Sequence, residues 1–429
     1  MISRRSFVAV TAAGAAGSLL ERSFAAEPQA PGALPPSIAE LKSMRDQAQP
    51  ISKDERRERL ERARRLMLEN KLDAIMLTSG TSMQYFTGMR WSGAERLFAA
   101  VVPAKGAAFF VCPAFEEDRA REQIALSPLD AQPDVRTWHE DQSPYERVAQ
   151  GLRERGVSSG VLGIEETTKY VFAEGVGKAA PSVRLASATP VTAGCRQIKS
   201  AHELALMQLA NKVTLAAFEA AYKAVRDGMT HVEFAGLIST AHARLGFPGG
   251  GSLVNVDQYA ALPHGSVTPT VIREGSLVLI DGGCTVEGYE SDISRTFVLG
   301  KPTGKMKQVF DVVHKAQSAA LAAARPGVQC QAVDAAARKV IDDAGFGPDY
   351  AHFTHRVGHG IGMDGHEWPY LVRGNTLPLA AGMTFSDEPG VYIRGEFGVR
   401  LEDDMHITSN GAELFTPQSP SLEHPFERG

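Results

Sequence analysis

Cysteine is scarce in this chain, whose 429 residues contain only Cys112, Cys195, Cys284 and Cys330, with no C-x-x-C pair. This scarcity argues against a zinc finger and against a dense disulfide framework. A basic stripe with interleaved aromatic residues is also missing and the formal net charge is −5, so nothing indicates a nucleic-acid partner. After the N-terminal residues, no stretch is long and apolar enough to span a membrane as a helix. The remaining composition is that of a globular protein of two or three domains.

The first residues have the features of an export signal. Arg4-Arg5 precedes a weakly hydrophobic run at residues 8–20, and residues 23–25 are small enough for signal-peptidase cleavage. The run is too short to cross a bilayer as a stable helix. Paired arginines before such a run are similar to the twin-arginine signal, although they also occur in ordinary basic signals. We expect a signal peptide at 1–26, a flexible lead-in at 27–50, and a periplasmic mature protein without a membrane anchor.

The next part of the chain, residues 51–195, shows alternating helix and strand patterns. A capping box formed by Ser52 and Glu55 opens a helix that we expect to end near Asn70. Strands are predicted at four short apolar runs, residues 72–77, 97–102, 107–112 and 161–164. This alternation predicts an α/β domain. Residues 179–194, rich in Pro, Ala, Ser and Thr, are interpreted as the linker to the next domain.

The last part, residues 196–429, contains a weak internal duplication of helix, helix and hairpin. The first copy is predicted to have helices at 200–226 and 230–245 and strands at 277–281 and 289–299. The second copy is predicted to have helices at 305–324 and 332–344 and strands at 383–388 and 398–407. In both copies a glycine stands six residues before an acidic residue of the first strand. This repetition predicts an α+β domain made of two related units.

Each unit places two carboxylates on its hairpin, Asp281 and Asp292 in the first and Glu388 and Glu402 in the second. If the strands are antiparallel, Asp281 and Asp292 lie on one face, directly opposite or diagonal depending on the turn. The second pair shares a face if its loop has an odd number of residues. Four crowded carboxylates repel one another unless cations or protons neutralise them. Together with His359 they predict a site for two divalent ions.

Motifs around these residues resemble those of the pita-bread peptidases, metallopeptidase family M24, which includes methionine aminopeptidase, aminopeptidase P and prolidase. The motifs are I-D-G-G, S-D-I-S-R-T, G-H-G-I-G-M-D-x-H-E-x-P, D-E-P-G and G-V-R-L-E-D-D. The N-terminal domain is similar to the creatinase-type domain of the aminopeptidase P and prolidase branch, on residues 85–88 and the junction 196–200. The resemblance implies a pita-bread catalytic domain that hydrolyses Xaa-Pro bonds of small peptides.

The resemblance also implies a ligand set and a nucleophile. Asp281, Asp292, His359, Glu388 and Glu402 match the five ligands of two divalent ions, with manganese expected and cobalt or zinc as alternatives. Water that bridges two such ions is acidified enough to be hydroxide near neutral pH, and it would attack the scissile carbonyl. Glu388 would accept the proton of that water.

Further residues are assigned by the same resemblance. His264 and His366 match two non-ligand histidines that would stabilise the oxyanion and protonate the leaving nitrogen. His355, Arg400 and Arg373 are candidates for binding substrate or for supporting the ligands.

Other functions stay open on the sequence alone. A hydrolase or lyase of a small non-peptide metabolite could use the same ligands, and a binding protein could have lost catalysis. Intact His264, His366 and Glu388 argue against the second alternative. Family analogy also implies a homodimer.

Overall fold

The computed structural model describes residues 34–93, 95–129 and 132–426. The predicted signal peptide at residues 1–26 lies outside these ranges. Within them, no helix is both long enough and apolar enough to cross a membrane.

Residues 34–50 pack against the C-terminal part of the molecule. They contain a one-turn helix, α1 (Pro36–Ala39), whose Ile38 is fully buried. The Ser37 hydroxyl donates a hydrogen bond of 2.8 Å to the carbonyl oxygen of Ala220. The prediction of a flexible lead-in is therefore wrong for its described part. Composition alone could not show that a few apolar residues in a Pro- and Ala-rich segment have a surface to pack against.

The N-terminal domain is a six-stranded mixed sheet covered by helices. Its helices are α2 (Lys53–Glu69), α3 (Thr81–Thr87), α4 (Glu117–Ile124), α5 (Pro144–Glu154), α6 (Tyr170–Ala179) and α7 (Thr189–Arg196). Its strands are β1 (Ala74–Thr78), β2 (Ala99–Pro103), β3 (Phe109–Pro113), β4 (Asp134–Trp138), β5 (Val161–Ile164) and β6 (Arg184–Ser187). The sheet order is β4-β3-β2-β1-β5-β6, with β2 antiparallel to both of its neighbours. The predicted α/β class is confirmed.

The segment interpreted as a linker is part of this domain. Its residues form β6, which pairs in parallel with β5, and most of α7. Pro190 lies in the first turn of α7, where a missing N–H costs no intrahelical hydrogen bond. Val191 and Cys195 of this helix are fully buried. The linker prediction is wrong because it took Pro and small residues as loop formers, although their positions suit a short edge strand and a helix start.

The C-terminal domain contains the predicted repetition. The first unit comprises α8 (Ala201–Tyr222), α9 (His231–Arg244), β7 (Gly251–Val256), β8 (Leu277–Gly283), β9 (Thr285–Val286), β10 (Tyr289–Glu290) and β11 (Ile293–Val298). The second comprises α10 (Gly304–Ala323), α11 (Cys330–Ile341), β12 (Gly358–Gly360), β13 (Glu367–Leu371), β14 (Thr384–Asp387), β15 (Gly390–Ile393), β16 (Phe397–Arg400), β17 (Asp403–Ile407) and β18 (Ala412–Leu414). The sheets have the orders β11-β8-β7 and β13-β12-β14-β17-β18.

Equivalent glycines show how closely the two units correspond. Gly275 and Gly382 both have a φ of 87°. The amide of Gly275 donates to the carbonyl of Leu299 at 2.6 Å, and that of Gly382 donates to the carbonyl of Ile407 at 2.8 Å. Only glycine adopts this φ without strain, so both hairpins are entered through the same turn. The predicted duplication is confirmed, and it brings the two acidic hairpins to the same place in the fold.

Candidate metal centre and active site

The register of the first hairpin places Asp281 and Asp292 diagonally on one face. Asp281 on β8 pairs with Ser294 on β11, and Asp292 stands two residues before Ser294. The tip of the hairpin is formed by Glu287 and Gly288, with φ values of 50° and 94°. A two-residue turn with both φ values positive is the type that fits strand twist, and Gly288 favours it. Of the two arrangements left open by the sequence, the diagonal one is therefore correct.

In the second hairpin the two glutamates stand opposite each other. The pairing of β14 with β17 continues without a slip into the pairing of β15 with β16. Glu388 follows β14 and Glu402 precedes β17, so both occupy facing positions in this register. Three residues, 394–396, connect β15 to β16, which is the odd number that the expectation required.

The structure brings all five predicted ligands together. In the part of the chain that it describes, three groups have potential ligand atoms within 4.8 Å of one another: Asp281, Asp292 and Glu402; His359, Glu388 and Glu402; and Asp292, His359 and His366. Asp292, His359 and Glu402 each belong to two of these groups, so the three groups form one continuous cluster. Carboxylate oxygens with one imidazole nitrogen form a donor set suited to divalent ions such as manganese, cobalt or zinc. The residues present therefore fit a site for divalent metal.

Three of these crowded carboxylates have raised pKa values. Burial, reinforced by the charge of Asp281, raises the pKa of Asp292 well above its usual value. Burial, reinforced by Asp292 and Glu388, raises the pKa of Glu402 in the same way. Burial also raises the pKa of Glu388 to about 8, although the Arg400 charge opposes this shift. Without metal, protons neutralise part of this cluster, and bound cations would take their place.

The metal-free protein is expected to lose stability as the pH rises. The pKa of Glu388 is about 8 in the folded protein, against 4.5 for an ordinary glutamate. The folded state therefore keeps a proton that the unfolded state releases, and stability falls over this pH range. Because His355 and His359, whose pKa values are lowered from 6.5 to about 3, oppose this effect at lower pH, calorimetry in the presence of a chelator should show the decrease in melting temperature between about pH 6.5 and about pH 8. A melting temperature that rises over the same range would contradict this account.

The low pKa and the hydrogen bonding of His359 leave its Nε2 free to bind a metal ion. His359 is 1% exposed, and burial followed by the charge of His366 lowers its pKa to about 3. Its Nδ1 lies 3.1 Å from the carbonyl oxygen of Gly360, which fixes the proton on Nδ1. Its Nε2 lies 3.4 Å from Glu388 and 3.8 Å from Asp292, so the free lone pair faces the carboxylates.

His366 lies directly beside this ligand. Its ring stacks on the ring of His359, with centroids 3.6 Å apart and an angle of 18° between the planes. Burial, followed by the charge of Arg356, lowers the pKa of His366, so its ring is neutral at neutral pH. A neutral imidazole at this place can donate one hydrogen bond to a substrate bound at the ligand cluster.

Arg400 holds two of the predicted ligands. Its Nη2 donates to Asp281 at 2.6 Å, and its Nε donates to the Ser294 hydroxyl at 2.9 Å. The same hydroxyl donates to Glu402 at 2.6 Å. Arg400 is 3% exposed, so its geometry is fixed by the surrounding protein. The structure therefore supports the role of Arg400 in positioning ligands, and it adds Ser294, which the sequence reasoning missed.

His355 is connected to the same network through Tyr392. Its Nε2 lies 2.7 Å from the Tyr392 hydroxyl, which also accepts a hydrogen bond of 3.1 Å from Arg400. Its Nδ1 lies 3.8 Å from Glu388. Burial and then the Arg400 charge lower the pKa of His355 to about 3. His355 thus lies at the edge of the ligand cluster, and Tyr392 is a second member of the site that sequence reasoning missed.

The two remaining predicted residues, His264 and Arg373, are exposed. His264 lies on an exposed loop, yet its charge contributes, after burial, to the lowered pKa values of both His355 and His366. It therefore lies within electrostatic range of these two histidines. Arg373 pairs with Asp349 at 2.7 Å, and both side chains are more than half exposed. The structure does not bring Arg373 into the ligand cluster.

Arg356 is a cation at the site that sequence reasoning did not single out. Its guanidinium carbon lies 4.1 Å from the centre of the Tyr370 ring. After burial, its charge helps to lower the pKa of His366. Among the described residues no carboxylate forms an ion pair with it. Its position three residues before His359, beside the ligand strand β12, is the signal that could have found it.

Comparisons with known proteins agree with this geometry. The profile described as metallopeptidase family M24 matches residues 205–409, and the one described as creatinase/prolidase N-terminal domain matches residues 59–198. An Xaa-Pro dipeptidase of Lactobacillus delbrueckii subsp. lactis is 32% identical over 372 residues, which cover 85% of this chain and 98% of that protein. The Xaa-Pro dipeptidase of Pyrococcus furiosus is 31% identical over 368 residues, covering 85% and 99%. The crystal structure of dipeptidase PepE from Mycobacterium ulcerans superimposes with a TM-score of 0.81 at 33% identity, covering 87% of this chain and 99% of that one.

Proposed function

The chain belongs to metallopeptidase family M24, and from this membership we propose that it hydrolyses the Xaa-Pro bond of small peptides with two divalent metal ions. The observation that carries the proposal is the pair of ligand groups that share Glu402, one with Asp281 and the other with Glu388 and His359. Similarity to Xaa-Pro dipeptidases over most of their length supports proline as the residue after the scissile bond. We further propose that the enzyme is a homodimer, by analogy with its family.

The residues of the site suggest how the bond is broken. When bound, the two ions would acidify water and polarise the scissile carbonyl. Glu388, which stands opposite Glu402 in the second hairpin, accepts the proton of the attacking water. His366 donates a hydrogen bond to the oxygen that becomes negative, and its ring relays to the proline nitrogen the proton that Glu388 took from water, so the imidazole is neutral before and after the reaction. His264, on an exposed loop within electrostatic range of His366, assists in stabilising the same oxygen, while Arg400 keeps Asp281 in place.

The test compares substrates and metals with the purified mature protein. An Xaa-Pro dipeptide should be hydrolysed, an otherwise identical Xaa-Ala dipeptide should not, and a chelator should stop the reaction until manganese, cobalt or zinc is added back. Elemental analysis should give about two ions per chain, as a bridged site requires. Activity that survives complete removal of metal would refute the mechanism. Equal hydrolysis of the Pro and Ala dipeptides would refute the proposed specificity.

Arg356 is predicted to select dipeptides by binding the free carboxylate of the proline. A hydrogen-bonded contact to a charged group contributes about 1.5–3 kcal/mol, so Arg356→Met should raise KM for an Xaa-Pro dipeptide by roughly 10- to 100-fold. The matched control is the same dipeptide with a C-terminal amide, which has no carboxylate and whose KM should not change. If the substitution weakens both substrates equally, Arg356 does not recognise the carboxylate.

Export through the twin-arginine route is a separate prediction. Changing Arg4 and Arg5 to lysine keeps the positive charge that a general secretion signal needs. A twin-arginine receptor reads the guanidinium groups, which the lysine ammonium cannot imitate. The double variant should therefore accumulate in the cytoplasm with its signal uncleaved, as cell fractionation and mass measurement would show. A variant that reaches the periplasm as efficiently as the parent would refute this route.

A further inference from the structure

A buried cluster of opposite charges lies next to the loop that carries His366. Arg196 donates through Nη2 to Asp364 at 2.5 Å and to Glu367. Lys199 donates to the other oxygen of Glu367 at 2.6 Å. The side chains of Arg196, Lys199 and Glu367 are at most 7% exposed, and that of Asp364 is 39% exposed. Two cations therefore balance two carboxylates within a largely water-free space.

The cluster holds the loop on both sides of His366. Asp364 lies two residues before His366, and Glu367 lies immediately after it. The second oxygen of Asp364 accepts a hydrogen bond of 2.5 Å from the Thr81 hydroxyl at the start of α3. Every donor of the cluster thus comes from the N-terminal domain or from its junction at Lys199. Both acceptors belong to the catalytic domain.

The loop is closely packed at Gly362. A Cβ atom on Gly362 would lie 2.4 Å from an Oε atom of Glu367 and 2.8 Å from Cε of Lys199. The carbonyl of Gly362 also accepts a hydrogen bond of 2.7 Å from the amide of Glu290, next to the first acidic hairpin. His366 itself is exposed, so its position depends on its stacking with His359 and on the anchoring of its loop.

We propose that Arg196, Lys199 and Thr81 position His366 for catalysis by fixing Asp364 and Glu367. The inference rests on the proposed function, in which His366 acts on the substrate. It gives the N-terminal domain a part in the reaction, because that domain supplies the groups that hold the catalytic loop. These three are positioning residues and do not contact the substrate.

Asp364→Asn tests this role with little risk to the fold. The amide keeps the shape of the side chain, and the position is partly open to water. Displacing a reacting group by about 1 Å can cost on the order of 100-fold in rate, so partial loosening should lower kcat by about 10-fold. KM and metal content should stay within about twofold of the parent.

Thr81→Val, which removes one hydroxyl, should also lower kcat, by a smaller factor. The matched control is Glu140→Gln, which removes an exposed ion pair of 2.7 Å with Arg96.

A double-mutant cycle separates positioning from general damage. If Asp364 acts through His366, then Asp364→Asn should change kcat by less than about twofold in a His366→Ala background. Effects that multiply in the double variant would overturn the proposal. A fall in metal content that matches the fall in kcat would overturn it as well.

A second measurement does not depend on activity. Hydrogen–deuterium exchange of the peptide covering residues 361–368 should become faster in metal-free Asp364→Asn, while the control Glu140→Gln leaves it unchanged. Unchanged exchange in Asp364→Asn would overturn the proposal. A parent enzyme that hydrolyses no Xaa-Pro peptide would refute the proposed function, and the exchange result would still decide whether the cluster holds the loop.

Discussion

Replacing Asp292 with asparagine is expected to remove at least one metal ion and almost all activity while the protein stays folded. Asp292 lies in two of the three groups of potential ligands, so its loss removes a donor from both of these groups. Bound ions supply several kcal/mol of transition-state stabilisation, and a loss of about 4 kcal/mol corresponds to roughly 1,000-fold in rate. Elemental analysis and kcat of the purified variant measure the two effects.

The stability of this variant should change in opposite directions with and without metal. Asp292 is partly exposed, and its desolvation and then the neighbouring carboxylate charges raise its pKa, so an amide relieves an unfavourable charge in the metal-free protein. The metal-free variant should therefore melt at a higher temperature than the metal-free parent. With excess metal the order should reverse, because only the parent gains the full binding energy. A variant that is unfolded under both conditions would mean that Asp292 is chiefly a structural residue.

His366→Ala is expected to lower kcat strongly and to leave the metal content intact. Losing an oxyanion donor or a proton-transfer group typically costs on the order of 100-fold or more. A ring nitrogen of His366 lies within 4.8 Å of potential ligand atoms of Asp292 and His359, so the experiment must distinguish a catalytic role from a role as metal ligand. Metal analysis beside steady-state kinetics decides between the two roles. If metal content and kcat fall by the same factor, His366 is a metal ligand. The control for removing a histidine is His139→Ala, on the exposed surface of the N-terminal domain.

Much of the metal centre could be predicted because it depends on local rules. The two hairpins place their carboxylates by strand alternation and by the number of residues in a turn, and both properties can be read along the chain. The sequence alone did not decide between the two possible registers of the first hairpin, because the choice depends on Glu287 adopting a positive φ beside Gly288. The capping boxes at Ser52 and Ser200 were also predictable, since each needs only residues three positions apart.

The parts that could not be predicted depend on contacts between distant segments. Residues 34–50 are ordered because they pack against the C-terminal part of the molecule, and their composition does not indicate that contact. Strand β12 has only three residues, Gly-His-Gly, and becomes a strand because β13 and β14 pair on either side of it. The link from Arg196 to Glu367 joins residues 171 positions apart. Nothing in either neighbourhood indicates the other, so the anchoring of the His366 loop became visible only in three dimensions.

All four cysteines of the chain are free and buried. Burial raises the pKa of the thiols to about 12 in Cys112 and Cys195 and to about 11 in Cys284 and Cys330. Oxidants and disulfides react with the thiolate, so these side chains are chemically inert at neutral pH. Folding therefore includes no oxidation step, and the folded enzyme has the same covalent structure in a reducing and in an oxidising compartment. The four thiols therefore place no constraint on the compartment in which the enzyme works.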